Sequence, residues 1–235
     1  MITGPSEVML SWSHTFRVVP SQFPPINFFE VLVDPDLIEE IFYIQSLTND
    51  RLRDEVGDIS LVTKGDRVSG NGSTAVMAAF THVSTARCSR FTDGTFGIYY
   101  AAKQLETAVK EKAYHSEKFL SYTNEPPCSL TMRVYQSKKI LQPLQDIRDS
   151  VFSNLHYPND YSSSQAFGLE MKIANEWGIV YNSVRDPGGE CVAILRPPAT
   201  PLPVIQTQHL KFDWDGSKIL QYYTIGTKAI ALQTV

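Results

Sequence analysis

The sequence predicts one globular domain of mixed α and β structure. Its 235 residues are 43% hydrophobic and 20% charged, which is ordinary for a globular protein. Helical and strand periodicities both occur, with no internal repeat, and strand patterns cluster toward the C-terminus. At this length a single domain buries roughly 70% of the surface that its unfolded chain exposes, so no disulfide or metal is needed for stability. Two small domains remain an alternative.

The first half of the chain predicts a strand followed by two helices. Residues 14–20 (HTFRVVP) form a short strand pattern that proline stops. Asp34 is placed to cap a helix with Pro35 at its first position, and Gly57 is available as its end. We expect a second helix to begin near Ser73.

The segment 97–120 predicts a short strand through Tyr100 and a helix from about Gln104. One face of this helix is apolar, with Leu105, Ala108, Val109, Ala113 and Leu120. A polar stripe recurs at intervals of three and four residues, with Thr107, Glu111, Tyr114 and Lys118. We therefore expect Glu111 to point away from the main core.

The last third predicts a helix and a group of strands that completes a sheet. The helix covers 162–177, and Gly178 is expected to end it as a left-handed cap. Two pairs of strands follow, each pair joined by a tight turn. They span 178–183 with 191–196, and 206–214 with 218–223.

Composition argues against several classes of protein. The 21 Lys plus Arg against 25 Asp plus Glu give a net charge of -4, which repels a polyphosphate backbone. We expect no direct binding to nucleic acid. The cysteines Cys88, Cys128 and Cys191 are odd in number and far apart, so we expect neither a disulfide framework nor a zinc site, and a cytoplasmic location. No long apolar run or export signal occurs, so no membrane association is expected.

Other site patterns favour simple structural interpretations. Residues 65–74 (GDRVSGNGST) space their glycines like a phosphate-binding loop but lack its lysine. The five histidines are dispersed, which argues against a catalytic metal. Asp213 and Asp215 resemble a carboxylate pair, but they lie at a hairpin where Asp favours the turn.

Four segments together resemble the RES domain family, and they span most of the chain. The first is Phe16-Arg17-Val18. The second is Cys88-Ser89-Arg90-Phe91, where the family typically has Gly-Gly-Arg-Trp. The third, which carries most of the resemblance, contains Gly97, Tyr100, Ala102, Thr107, Ala108 and Glu111. The fourth is 160–168 (DYSSSQAFG), in which Ser162 aligns with the family serine and Ser163 or Ser164 fits after a small change of register. Ser183 is a further candidate for that serine.

The resemblance implies a fold and an activity. The fold would be α+β, a split mixed β-sheet with flanking helices like that of ADP-ribosyltransferase toxins. The activity would be that of a toxin in a type II toxin-antitoxin system, which cleaves NAD+ at the nicotinamide-ribose bond and passes ADP-ribose to phosphate, water or a protein. The implied partner is a cognate antitoxin, a small helical protein that often carries a helix-turn-helix and blocks the cleft.

The predicted site residues suit this chemistry. Breaking the glycosidic bond of NAD+ leaves a ribosyl oxocarbenium ion, so the site must stabilise positive charge and also hold a pyrophosphate. Arg17 and Arg90 would present planar forks to the pyrophosphate, and Tyr100 would stack on nicotinamide. Glu111 would stabilise the developing cation. Ser162, or Ser183 in its place, would bind phosphate or ribose.

Each of these residues also has a structural interpretation, as a surface arginine, a core tyrosine, a solvated helix charge or a helix cap. Because both family glycines before Arg90 are replaced, a noncatalytic module that binds a nucleotide or a protein remains an alternative. The chain also exceeds compact family members by a predicted insertion around 21–72, which would dock a protein target or shield the cleft.

Overall fold

The computed structural model describes residues 4–21, 57–86, 88–225 and the strand at 230–231. The helix predicted to begin at Asp34 and most of the insertion predicted around 21–72 lie outside these residues. Within the described part of the chain, no helix is both long enough and apolar enough to cross a membrane.

A ten-stranded mixed sheet organises the described residues. Its spatial order is β1-β5-β6-β7-β3-β2-β4-β8-β9-β10. The pair β5 and β6 is parallel, and the other neighbours are antiparallel. The strands are β1 Ser6–Val8, β2 His14–Pro20, β3 Tyr99–Ala102, β4 Cys128–Lys138, β5 Leu144–Asp146, β6 Gly178–Asn182, β7 Glu190–Ile194, β8 Ile205–Trp214, β9 Ile219–Thr224 and β10 Ile230–Ala231.

Helices cover both faces of the sheet. The described α-helices are α1 Ser73–Thr81, α2 Leu105–Thr123 and α3 Ser162–Ile173, and short 3-10 helices occupy Ile59–Leu61, Lys64–Asp66, Ser150–His156 and Pro197–Ala199. Strand β3 shows the two faces, because Tyr99 and Ala101 pack with α1 whereas Ala102 packs with α2. Two separate cores therefore form, one between the sheet and α1 and the other between the sheet and α2. The prediction of an α+β fold is confirmed.

The apolar face predicted for α2 is confirmed, and its polar stripe runs from buried Thr107 to exposed Lys118. Ala108, Val109, Ala113 and Leu120 are buried in the core. Thr107 is also fully buried, and Glu111 is half-buried. Glu111, which was expected to point away from the main core, lies in the wall of a cavity, because a turn following β6 packs on this stripe.

The predicted end of α3 is wrong. The helix ends at Ile173, and Asn175 takes the left-handed conformation with φ 60°. Gly178 instead begins β6, and a Cβ there would lie 2.7 Å from the carbonyl oxygen of Ala193. This glycine therefore permits close approach of two strands rather than ending a helix.

The strands β2 and β3 separate at the centre of the sheet. Their register contains the pair Phe16 and Ala102, whereas β2 pairs with β4 along its whole length, from His14 to Pro20. The space that opens between β2 and β3 is covered by α2, and it forms the cavity described next.

Candidate active site

A cavity of about 300 Å³ lies between the sheet and α2. Four residues of the predicted site, Arg17, Arg90, Tyr100 and Glu111, contribute to its wall. The rest of the wall comes from Phe16, Val18, Val19, Pro20, Ser89, Ala101, Ala102, Ala108, Lys112, His115, Tyr161, Tyr181 and Cys191. The structure thus brings together residues that are up to 175 positions apart in sequence, from Phe16 to Cys191.

Glu111 places a carboxylate in this wall from the second turn of α2. Its Oε1 accepts a hydrogen bond of 2.6 Å from the hydroxyl of Ser183. Burial raises the pKa of Glu111, and the Ser183 hydrogen bond and the charges of Arg90 and Arg185 offset part of that rise. The carboxylate is therefore poorly hydrated, but it keeps partners that favour its ionised form.

Ser183 is held by the turn that joins β6 to β7. Its Oγ accepts hydrogen bonds from the backbone N–H groups of Arg185 (3.1 Å) and Asp186 (3.0 Å). The Asp186 carboxylate accepts from Thr107 Oγ1 (2.6 Å) and from Lys110 Nζ (2.8 Å) on α2. The turn is thereby fastened one helical turn before Glu111, which fixes the Ser183 hydroxyl against the carboxylate.

Arg17 lies where β2 and β3 separate. Its Nη1 donates to the backbone oxygen of Tyr100 (3.0 Å), and its guanidinium lies 4.6 Å from the centre of the Tyr99 ring. Its buried Nε has no hydrogen-bond acceptor among the described residues. Burial lowers the pKa of Arg17, and the nearby tyrosines oppose this effect. Arg17 is thus a poorly hydrated cation that joins two strands.

Arg90 is buried and engaged by the protein itself. Its Nη1 donates to the backbone oxygens of Leu155 (3.2 Å) and Tyr157 (3.0 Å). Its guanidinium lies 4.9 Å from the centre of the Tyr161 ring. Arg90 therefore holds the C-terminal end of Ser150–His156 and the residue after it, in addition to contributing positive charge to the cavity wall.

Tyr100 connects β3 to the loop that carries Arg90. Its hydroxyl accepts from the backbone N–H of Phe91 (3.1 Å) and shares a 2.8 Å hydrogen bond with the Ser89 hydroxyl. Burial raises the pKa of Tyr100 to about 12. Its ring forms part of the wall, while its hydroxyl is already used to position the loop.

The three consecutive serines of the fourth segment differ in position. Ser162 is exposed, and both its N–H and its hydroxyl donate to Asp160 Oδ1 (2.9 and 2.7 Å), outside the cavity wall. Ser163 is also exposed. Ser164 is buried and donates to the backbone oxygen of Arg90 at 2.6 Å. Among the candidate serines, the one that touches Glu111 is Ser183.

The start of α3 supports the loop of residues 88–92. Gln165 Nε2 donates to the backbone oxygens of Ser89 (3.0 Å) and Thr92 (3.3 Å). A Cβ on Gly168 would lie 2.0 Å from the backbone oxygen of Phe91. The fourth segment thus positions Arg90 through three hydrogen bonds to backbone oxygens, from Ser164 and Gln165, and through the close approach of Gly168, rather than lining the cavity with a serine.

Several wall residues were not predicted from the sequence. Tyr181 and Cys191 lie on β6 and β7 in apolar strand patterns that indicate only a core. Lys112 and His115 lie on α2, and the stripe that contains Glu111 was the signal that pointed to this helix. Tyr161 precedes α3, and its position next to the serines was the available clue.

The chain matches the RES domain model over residues 66–215, which includes all of the cavity described above except its β2 wall. It is 29% identical over 209 residues to an uncharacterized protein, y4oC, of Sinorhizobium fredii, covering 88% of this chain and 86% of the relative. Among solved structures it is similar to the MbcT–MbcA toxin-antitoxin complex of M. tuberculosis, at 11% identity and a TM-score of 0.41, with 91% of this chain and 87% of the other covered. Since the family model matches well over half of its length, the chain belongs to the RES domain family.

Proposed function

We propose that the protein binds NAD+ as a substrate and cleaves its nicotinamide-ribose bond, acting as an NAD+-dependent ADP-ribosyl transferase or NAD+ phosphorylase. The observation that carries the proposal is the Glu111 carboxylate, half-buried in a cavity wall and oriented by Ser183. Membership in the RES domain family supports the same activity. No metal takes part in the proposed reaction.

In this reaction the bond between the ribose C1′ and the nicotinamide nitrogen breaks. Both electrons leave with nicotinamide, which becomes neutral, and the ribose becomes an oxocarbenium ion. The Glu111 carboxylate would stabilise this cation, and because its surroundings exclude much of the water, the attraction is stronger than in bulk solvent. An acceptor oxygen or other nucleophile then bonds to C1′ and loses its proton.

The cavity suits the nicotinamide end of the substrate. At about 300 Å³ it lies at the small end of the range for ligand pockets, roughly 300–1,000 Å³. Phe16, Tyr100, Tyr161 and Tyr181 contribute aromatic surface to its wall, against which a flat pyridine ring can stack. The rest of the dinucleotide would then lie at the mouth of the cavity.

The family membership also supports a biological role. The protein would be the toxin of a type II toxin-antitoxin system, acting in the cytoplasm, and its partner would be a small helical antitoxin, with or without a helix-turn-helix, that covers the cavity. A protein target of ADP-ribosylation is the alternative acceptor to phosphate or water.

A second candidate is a noncatalytic nucleotide- or protein-binding module on the same fold. Two predicted site groups favour this alternative, because Arg90 Nη1 and the Tyr100 hydroxyl already form hydrogen bonds with protein atoms and are less available to a substrate. The replacement of the family's two glycines by Cys88 and Ser89 points the same way.

Nicotinamide release from NAD+ by the purified protein tests the proposal. We expect release from the wild type, and a loss of at least about a hundredfold in Glu111→Gln, because the variant cannot supply the anion. NAD+ binding in calorimetry without any release, with or without phosphate, would instead support the binding module. NAD+ labelled in its adenylate moiety, added to cell extract, separates the acceptors, because a protein transferase leaves label on a discrete protein band.

A further inference from the structure

Two hydroxyl groups, those of Ser89 and Tyr100, are joined by a hydrogen bond next to the cavity. Both residues contribute to the cavity wall, and their hydroxyl oxygens lie 2.8 Å apart. The Tyr100 oxygen also accepts the backbone N–H of Phe91 at 3.1 Å. Among the described residues, neither hydroxyl has a further hydrogen-bond partner. We call Ser89 and Tyr100 the hydroxyl pair.

The hydroxyl pair has one more O–H group than these contacts use. Each hydroxyl carries one hydrogen and two acceptor lone pairs. The bond between the two oxygens uses one of the two hydrogens, whichever residue donates it, and the Phe91 N–H occupies a lone pair of Tyr100. One O–H group is therefore left without an acceptor among the described residues. Because an unsatisfied donor in a poorly hydrated place is costly, this group is suited to bind a ligand.

The chemistry of the two hydroxyls assigns the remaining donor to Ser89. A phenol is more acidic than an aliphatic alcohol, so Tyr100 is the stronger donor of the two and Ser89 the stronger acceptor. When Tyr100 donates to Ser89, the Phe91 N–H, the phenol and the serine form one chain of hydrogen bonds, in which each bond strengthens the next. The Ser89 O–H is the free end of that chain.

Ser89 is held in place through its backbone. Its N–H donates to the backbone oxygen of Thr92 at 2.8 Å, and its backbone oxygen accepts from Gln165 Nε2 at 3.0 Å. Phe91, two residues later, is fully buried, and its ring packs against the ring of Tyr181 with the centres 5.0 Å apart. A donor fixed in this way loses little conformational freedom when it binds a ligand.

The surroundings of the hydroxyl pair fit a neutral carbonyl group carried by a flat ring. The Tyr100 ring forms part of the wall, and Phe16, Tyr161 and Tyr181 add further aromatic surface. A six-membered aromatic ring stacked on Tyr100 would bring a substituent on its own edge near the phenol oxygen, and so near Ser89. The carboxamide of nicotinamide is such a substituent, and its oxygen is a hydrogen-bond acceptor.

We propose that the Ser89 hydroxyl recognises the carboxamide oxygen of nicotinamide, and that Tyr100 positions this hydroxyl. The inference rests on the proposed function and adds the residue that selects its leaving group. The hydrogen bond forms already in the bound substrate, so its loss affects binding more than the rate of bond cleavage. Ser89 is thus a specificity residue, whereas Glu111 acts on the ribose.

Binding of free nicotinamide, followed by NMR titration, tests the proposal without turnover. The test variant is Ser89→Ala. The matched control is Ser121→Ala, which removes an exposed hydroxyl that donates to the backbone oxygen of Lys118 near the end of α2. We expect nicotinamide to bind about tenfold more weakly to Ser89→Ala than to the control. The ligand 3-ethylpyridine, which is similar in size but has no carbonyl, should bind equally to both variants.

Equal affinity of nicotinamide for the two variants would overturn the proposal, as would the absence of nicotinamide binding to the wild type. An equal loss for nicotinamide and 3-ethylpyridine in Ser89→Ala would also overturn it, because Ser89 would then shape the cavity without donating to the carbonyl. In turnover, Ser89→Ala should raise KM for NAD+ about tenfold with little change in kcat. Should the wild type release no nicotinamide from NAD+, the proposed function fails, while the titrations still decide whether Ser89 recognises the carboxamide.

Discussion

The hydroxyl of Ser183 donates a 2.6 Å hydrogen bond to the carboxylate of Glu111, from a position 72 residues later in the chain. The same oxygen accepts two backbone N–H groups of the turn that Asp186 fastens to α2. One hydroxyl therefore links the shape of a turn to the ionisation of the carboxylate on which the proposed reaction depends.

Ser183→Ala is expected to lower nicotinamide release about tenfold at neutral pH, because a hydrogen bond to a charged group is lost. The pKa of Glu111 should rise, since that bond favours its ionised form. The acidic limb of the pH-rate profile should therefore move to higher pH. Ser163→Ala, at an exposed position on α3, is the control. A larger loss in Ser162→Ala than in Ser183→Ala would contradict the assignment.

Glu111→Gln should stabilise the protein while it removes activity. Burial raises the pKa of Glu111 in the folded state, so the folded protein binds this proton more tightly than the unfolded chain does. The free energy of unfolding is then highest below the unfolded pKa and falls as pH rises through the folded one. The Tm of the variant should exceed that of the wild type at pH 8, by about 2–4 °C per kcal/mol relieved, and the two should converge near pH 4. A lower Tm at pH 8 would contradict this.

Tyr100→Phe separates the two uses of this side chain. The ring that lines the cavity is kept, but the Phe91 N–H and the Ser89 hydroxyl lose their partner. We expect a loss of about 1–3 kcal/mol in the free energy of unfolding, measured in urea, together with reduced nicotinamide release. Tyr122→Phe, at a side chain 75% exposed, is the matched control. Unchanged stability would show that the hydroxyl does not hold the loop.

Gly168→Ala should separate α3 from the loop of residues 88–92. The added Cβ would lie 2.0 Å from the backbone oxygen of Phe91. Because the clash involves a backbone atom, it can be relieved only if α3 or the loop shifts. We expect a loss of about 1–3 kcal/mol or more in thermal unfolding. Gly65→Ala, where nothing lies within 4 Å of the new Cβ, should be close to neutral. Equal Tm values for the two variants would argue against the contact.

Local signals predicted the elements that lie next to strong turn residues. Strand β2 was predicted with the bounds that the structure shows, because proline ends it, and α2 begins one residue after the predicted Gln104. Strand β4, Cys128–Lys138, was missed. The signal was present, because Cys128, Leu130, Met132 and Val134 alternate with the polar residues Ser129, Thr131 and Arg133, and the apolar set packs in or against one core.

The site was predictable as a set of residues but not as a geometry. Arg17, Arg90, Tyr100 and Glu111 do contribute to one cavity. In the structure, Arg17, Arg90 and Tyr100 also form hydrogen bonds with backbone groups that are distant in sequence. These bonds depend on the tertiary arrangement of the strands and loops, which no local sequence pattern predicts. The identification of Ser183 as the serine next to Glu111 likewise depends on tertiary structure, because Ser183 lies in the turn after β6 and Glu111 lies on α2.

The cavity between β2 and β3 is built from distant parts of the chain, and this determines when it can form during synthesis. The cavity takes one wall from residues 16–20 and another from Tyr181 and Cys191, and β3 is held in place by β7. A nascent chain that ends before residue 183 lacks both the hydroxyl that orients Glu111 and the strand beside Tyr100. Since such long-range contacts form only when the distant segments are present, the ribosome must synthesise most of the polypeptide before the cavity and the proposed reaction site can form.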